Sequence, residues 1–541
     1  MPQAKIFQNI VGGYQNSNID RVCKATSVNM YQELQGKEAS SPAILRSIYG
    51  TSVALQMPEG RCRGMYRVSR GHTGGPVLYG VWGRHCYVIY EGLHGLTCSQ
   101  IGSVSNAYSE PVSMTETNGY GDAHPHLIVA DGAQVYAVDT TILPELQAAD
   151  WKAIRLPYTE ASTTEFIRPS HVAYAYGYLA VLDAGTDAFV LSCQYPFEDD
   201  RWGDDIFMTQ DHVIPATRND QDEVVIPEYT LTGLPQGFRV YSEWCADSNR
   251  ALVSCGSFIY TFGDRSYQCF SYHDDVKFPF QSPDTAANAV GIKAYRSVVA
   301  IGQSVFWLGA SDIGENGIYM ASGASAQRVS TPDIEREIAV MRNPQDAVAQ
   351  VWQENHHLFY AITFRTDKRT FVYDVLEKVW AIRSSYDGTM PQQEGSWRPQ
   401  FATFAYNKVF FGLLDDDKLI YLDSSKWTEY DNLLIVRRRR SGVMLMDYSP
   451  FYCSDFKLIC NSGEIPNPDL NPKVTLRWSW NGSNWSDQEV GLLGTQGRYD
   501  WMTEWWNLGY GELLTLEIAC SDPVDFCILN AKLQVEPCGL I

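Results

Sequence analysis

With 541 residues, 45% of them hydrophobic and 19% charged, the sequence is too long for one small core and too apolar for disorder. A net charge of -21 excludes a general nucleic-acid binder, which draws phosphate affinity from clustered Lys and Arg. No apolar run approaches the ~18 residues of a membrane-spanning helix, and no membrane insertion is expected.

The N-terminal stretch MPQAKIFQNIVGGYQNSN lacks the continuous apolar core of a secretory signal, so synthesis in the cytoplasm without export is expected. Residues 1–55 read as an N-terminal arm. Thirteen cysteines are scattered without a CxxC pair; Cys453/Cys460 and Cys520/Cys527 each enclose six residues, which is not zinc-finger spacing. Reduced, structural thiols are expected. Thirty-two Tyr, 22 Phe and 15 Trp beside 42 Gly and 25 Pro favour strands and turns over helices.

From residue 56 a strand–turn–strand unit recurs. Hairpins begin at Val77, Leu127, Leu179, Leu252, Val305, Leu358 and Val409, at successive offsets of 50, 52, 73, 53, 53 and 51 residues. Each pairs an apolar strand with a polar turn and an aromatic-bearing second strand: Tyr87, Tyr136, Phe189, Tyr260, Tyr319, Phe371 and Tyr421. About 50 residues per unit suits the four strands of a propeller blade. Residues 56–431 therefore predict a β-propeller of about seven blades within an all-β protein, and the N-terminal arm is expected to contribute one propeller strand. Two unrelated β domains with evenly spaced hairpins are the competing reading.

The one long offset locates an insertion at 196–229, with nine acidic residues between Glu198 and Glu223 against Arg201 and Arg218. Its spacing matches no EF-hand loop, and a solvated acidic loop is expected in preference to a calcium site. After residue 431 the texture changes. KVTLRWSWNGSNWSDQEV (473–490) alternates apolar and polar residues about Asn481-Gly482, a type I′ hairpin signal. ELLTLEIAC and DFCILNAKLQVEP add strands, so 432–541 predict a C-terminal antiparallel β-sandwich.

Nothing nominates catalysis. A phosphate loop, an HExxH helix and a GxSxG elbow are absent from the sequence. His356 and His357, taken as neighbours within one strand, face opposite sides. RGHTGG at 70–75 has no helix pattern after it and reads as a turn. Sialidase-type turns are represented only by a loose approximation, SWNGSNW at 479–485. No catalytic, cofactor-binding or metal-binding residues and no cofactor are assigned. A carboxylate pair for glycoside hydrolysis stays open, because Asp and Glu are plentiful.

Several short motifs fall in a telling order. SVNMY at Ser27–Tyr31 precedes LRSIYG at Leu45–Gly50 and RGMYRV at Arg63–Val68; FGDRSYQCFSY (262–272) and FVYDVLEKVWAI come after, and NGSNW stands where a DGxNY-like turn belongs. The series resembles the packaged-DNA stabilisation proteins of short-tailed double-stranded DNA phages, the podovirus head-closure or tail-hub family. Departures are the acidic insertion and a longer chain. The resemblance implies a homohexameric hub of the virion tail, assembled in the host cytoplasm below the portal-adaptor ring. It implies retention of packaged DNA, which crosses the channel without specific binding, and a platform for a tail needle or plug and tail fibres or spikes. It implies no catalysis. A carbohydrate-binding or glycoside-hydrolysing propeller is the alternative.

Four consecutive arginines, Arg437, Arg438, Arg439 and Arg440, stand out in so acidic a chain. On a strand they form two pairs on opposite faces, not one basic patch. They are read as a charged edge strand leaving the propeller, which resists strand pairing or fits an acidic neighbouring subunit at an interface, and not as a DNA groove.

Overall fold

A computed structural model describes residues 3–6, 10–17, 23–39, 41–72, 74–93, 95–105, 110–118, 124–142, 149–159, 165–197, 206–207, 212–214, 217–218, 224–226, 229–231, 238–242, 244, 247–274, 279–283, 287–311, 316–386, 395–465 and 468–538. Strands dominate, and Pro332–Ala339 is the single α-helix among the described residues. The all-β expectation holds. The chain forms two compact units, one of residues 54–330 and 399–419, the other of 1–53, 331–398 and 420–541.

The first of these holds a succession of antiparallel meanders. One sheet comprises Cys62–Val68, Val77–Trp82, His85–Gly92 and Gly95–Ser103; the next comprises Ser113–Glu116, His126–Ala130, Val135–Asp139 and Lys152–Ala153. A third takes Pro169–Ala175, Tyr178–Asp183, Ala188–Gln194 and Phe238–Tyr241. Five-stranded sheets come next over 249–288 and 290–328, and then the pair Pro399–Ala405 and Lys408–Leu413.

Burial explains why these strands are apolar on both faces. In the third sheet Leu179, Val181 and Val190 pack with Ile128, Val135 and Ala137 of the second. The alternate residues Ala180, Leu182, Phe189 and Leu191 pack with Leu252, Ile259 and Phe270 of the fourth. Tyr260, Phe262 and Tyr267 of the fourth then meet Val305 and Trp307 of the fifth. Successive side chains of a strand point to opposite faces, so a sheet sandwiched between two others reads as a continuous apolar run. Each fully buried Val or Leu contributes about 1.5–3 kcal/mol. The beginning and end of this unit also meet. Met57 donates its amide to Asp417 O at 2.8 Å, the Tyr406 hydroxyl donates to Ile89 O at 2.7 Å, and Gly412 is so close to Cys62 that an added Cβ would lie 2.3 Å from its Sγ.

The long offset in the repeat has its cause in the third sheet, where the chain leaves at Gln194 and returns at Phe238. Within that excursion His212–Ile214 pairs with Tyr229–Leu231, and Thr217–Arg218 with Val224–Ile226. The nine acidic residues expected to form a solvated loop lie outside the described residues.

The other unit has two large sheets. One has the order Val348–Glu354, His357–Phe364, Arg369–Asp374, Val379–Arg383, Lys24–Val28, Arg437–Arg440, Leu513–Cys520, Lys473–Ser479, Glu489–Leu492. The other runs Met30–Leu34, Ala43–Ser47, Cys527–Pro537, Phe451–Cys460, Thr503–Gly511. Val474, Leu476, Leu516 and Ile518 of the first pack on Phe451, Phe456, Leu533 and Val535 of the second. This is the expected sandwich, but the N-terminal arm supplies strands to both of its sheets, and the sixth hairpin (from Leu358) continues directly into one of them. The compact units change at 53/54 and 419/420, near 55/56 and 431/432, and residues 331–398 fall in the unit that holds the sandwich strands.

Two local readings are corrected. His356 does not sit in a strand: Asn355 and His356, at φ 48° and 68°, form the two-residue turn that pairs Glu354 with His357. Asn481-Gly482 is not a two-residue hairpin turn. Lys473–Ser479 pairs with Glu489–Leu492 across a longer loop, because the Asn481 side-chain oxygen accepts the amides of Ser483 and Asn484 and curls the chain locally.

Candidate functional site: the arginine strand and its surroundings

Arg437–Arg440 is a strand, but not an edge. Arg438, Arg439 and Arg440 pair with Val28, Ser27 and Thr26 on one side, while all four pair with Cys520 to Glu517 on the other. The correction has a simple physical origin: both partner strands are remote in sequence, so a local reading sees neither. The strand joins the N-terminal arm to the C-terminal strands of its own chain.

The four side chains divide as strand alternation demands. Arg437 and Arg439 are 0% and 2% exposed. Arg437 donates from Nη1 to Asp522 O at 3.0 Å and from Nη2 to Trp427 O at 2.8 Å. Arg439 donates from Nε to Ile10 O at 2.8 Å and from Nη1 to Gly13 O at 3.0 Å. Burial lowers the Arg437 guanidinium and pushes that of Arg439 down to about 10, which leaves Arg439 charged at neutral pH. Backbone carbonyls take up these four donors. On the opposite face, Arg440 donates from Nε and Nη2 to one oxygen of Glu517 (3.0 and 2.7 Å), and Arg477 donates from Nε to the other at 2.6 Å. Both guanidinium groups lie over the Trp485 ring, 4.9 and 5.0 Å from its centre. Trp485 ends the NGSNW motif, so this ion pair holds that loop.

The SVNMY motif explains itself in the same place. Lys24–Val28 belongs to one sheet and Met30–Leu34 to the other, with Asn29 at φ 55° between them. Asn tolerates this left-handed corner. Its Nδ2 donates to Ser384 O and Val436 O, both at 2.9 Å, and its Oδ1 accepts the Ser384 amide at 3.0 Å. Gly13 also has a reason: an added Cβ would lie 2.0 Å from Val379 Cγ1, where the arm crosses that strand.

Sequence reasoning missed a second polar group in this unit. Arg383 donates to Glu354, whose carboxylate also accepts the Tyr49 amide and the Trp352 indole. The Arg383 guanidinium lies 4.9–5.2 Å from the ring centres of Trp352, Phe359 and Trp397. His357 Nδ1 is 2.6 Å from Asp374 Oδ2. The signal for the latter pair was the turn Asn355-His356, which starts the strand at His357 and so fixes it opposite the Asp374 strand.

Candidate chemistry elsewhere is sparse. Among the described residues no group of three or more His, Cys, Asp or Glu is placed to hold a metal ion. The twelve described cysteines form no disulfide. Burial pushes Cys520 up to about 11 and Cys527 up to about 12, which keeps them as thiols with little nucleophilic character. No helix among the described residues is long and apolar enough to cross a membrane.

Residues 204–426 match the family described as "Bacteriophage P22 Gp10, beta-propeller". The match supports a structural, stabilising role in a phage, and hence a component of the virion. It also agrees with the run of stacked meanders, which form a β-propeller. No curated protein matches the chain. Similar solved structures include a 6-phosphogluconolactonase candidate of Bacteroides fragilis (11% identity, 68% of this chain and 95% of that one, TM-score 0.35). They also include the computationally designed Ika8 protein (10%, 69% and 100%, 0.34) and a chain of Chaetomium thermophilum Polycomb Repressive Complex 2 (9%, 70% and 98%, 0.36). TM-scores this low leave these likenesses without weight for function.

Proposed function

We propose that this protein is a tail hub of a short-tailed phage, which closes the portal-adaptor channel after packaging, retains the genome and carries a tail needle or plug and fibres or spikes. The observation that carries the reading is the family match over residues 204–426. The ordered motifs of the N-terminal arm lie outside that match and support it independently. Asn29, Ser47 and Gly50 from those motifs all serve to anchor the arm among distant strands of its own unit.

The mechanism is steric and electrostatic, not chemical. Packaged DNA repels itself and escapes through the channel by which it entered; holding it needs a closed ring with broad subunit interfaces. Cyclic symmetry, here a homohexamer, supplies such closure. A chain of net charge -21 does not adsorb DNA that must pass it. The most conspicuous basic run spends its charges internally, so no DNA groove arises from it.

The test is the DNA content and nuclease sensitivity of particles assembled without the protein. They should package DNA and then leak it, while the purified protein cleaves neither DNA nor polysaccharide. Full, nuclease-resistant heads that lack only adsorption to cells would overturn the reading.

A further inference from the structure

The propeller-containing unit 54–330 and 399–419 carries an open cleft of about 470 Å³, within the ~300–1,000 Å³ typical of small-molecule sites. Tyr174, Tyr176 and Tyr195 wall it, and Arg70, Glu116 and Asn118 supply its charged and amide groups. Two observations separate it from an ordinary surface depression.

The first is backbone conformation. Tyr176-Gly177, at φ 50° and 88°, forms the two-residue turn that pairs Ala175 with Tyr178. That first position favours Asn, Asp or Gly, and a bulky side chain there is costly. Tyr195 is left-handed too, at φ 53°. Its amide donates to Gly177 O at 2.7 Å, and its ring occupies the space where a Cβ on Gly177 would come within 2.7 Å of it. Strain of this kind, at two tyrosines bordering one cleft, persists where surrounding structure imposes it and gathers at binding sites. Tyr406 takes a similar turn position, but its hydroxyl is committed to Ile89 O. Tyr176 is 45% exposed, and its ring stacks on Tyr272 at 4.6 Å and 8°, which fixes the ring's orientation.

The second is the polar set. Glu116 is held in place by the Ser69 amide at 2.8 Å to each oxygen and by the Ser69 hydroxyl. Arg70 and Asn118 line the cleft with it, so the cleft offers donors and acceptors together. One cation and one anion cancel, on a chain that is otherwise strongly acidic. An ionic ligand would find no net charge to bind. Hydroxyl groups, which both donate and accept, match this set, and the apolar C–H faces of a sugar ring match the tyrosine walls.

We propose that this cleft binds a neutral sugar residue of a glycan chain. The proposal goes beyond the tail-hub reading and does not depend on it, since genome retention can fail or succeed whether or not the cleft is filled. The test uses the full-length protein on an array of neutral and acidic bacterial oligosaccharides and one proline-rich peptide, followed by calorimetric titration of the strongest neutral sugar. Tyr176→Asn is the decisive variant, because Asn suits the left-handed turn better than Tyr, which offsets the lost stacking on Tyr272 and should keep the melting temperature near that of the parent. Its affinity should fall by about tenfold or more, and Asn118→Ala should weaken binding with the fold intact. Binding to none of the neutral sugars, binding confined to acidic sugars or to the peptide, or unchanged affinity in folded Tyr176→Asn would each overturn the proposal.

Discussion

Arg383 donates from Nη2 to Oε2 of Glu354 at 2.6 Å, and the two side chains are 3% and 0% exposed. Two charges removed from water this completely are tolerated because each has further partners: three aromatic rings for the guanidinium, an amide and an indole for the carboxylate. Their unit depends on the pair being complete.

Arg383→Ala should therefore destabilise by about 3–5 kcal/mol, because it strands a buried carboxylate. The double variant Glu354→Gln/Arg383→Met should cost clearly less than the two single changes added together. Urea unfolding followed by tryptophan fluorescence measures both, and simple additivity would contradict the coupling.

Arg439→Ala should loosen the N-terminal arm, because the carbonyls of Ile10 and Gly13 lose their donor. An unsatisfied buried acceptor costs about 1–3 kcal/mol. Limited proteolysis should clip the variant near Val11–Gln15 well before the parent. Arg440→Ala, on the half-exposed face, should leave that clipping rate unchanged.

Two histidines buried among the described residues, His357 and His171, should titrate in opposite senses. Burial alone would lower the His357 value, but the Asp374 carboxylate and its hydrogen bond outweigh that, and the net shift is upward. A raised folded value stabilises fully below the unfolded value, near 6.5, and the contribution is lost as pH rises through the folded value. The stability difference between the parent and His357→Asn should accordingly shrink between pH 6 and pH 8.5.

His171 is shifted well below its ordinary value, by burial first and by Arg296 second. The unfolded chain then binds a proton that the folded chain refuses, so stability falls as pH drops below about 6.5. The melting temperature of the parent should decline between pH 7 and pH 5 more steeply than that of His171→Gln. Equal slopes would show that His171 is protonated in the fold.

DNA binding by the isolated protein should be weak at physiological salt, and replacing Arg437–Arg440 by Ser should impair folding without altering a gel shift. Nanomolar, steeply salt-dependent binding would contradict the internal use of the arginines.

The hairpins were legible because each is local: Leu179 to Cys193 contains both strands and the turn, and burial on both faces writes itself as an unbroken apolar run. The C-terminal sandwich was legible in its own strands but not in its membership. Lys24–Val28 joins it across more than four hundred residues, and no local pattern carries that pairing. For the same reason the arginines read as an edge, since each of their neighbours, Val28 and Ala519, lies far away in sequence. The cleft at Tyr176 was hidden differently. Tyr176-Gly177 is a poor turn signal, because the first residue contradicts the conformation that the second permits.

The placement of Lys24–Val28 between Val379–Arg383 and Arg437–Arg440 has a consequence for biosynthesis. An N-terminal segment emerging from the ribosome finds neither flanking strand until several hundred further residues have been made, and Asn29 cannot close its corner before Val436 exists. Met30–Leu34 can pair at once with Ala43–Ser47, but Lys24–Val28 must wait for both flanking strands through most of translation, and long-range closure of this kind is slow. A chain cut short before Val436 would keep its meanders and Val379–Arg383 yet leave Lys24–Val28 without Arg437–Arg440 on its other side. The arm thus acts as a seal on completeness, setting only when the chain has been read far enough to hold it.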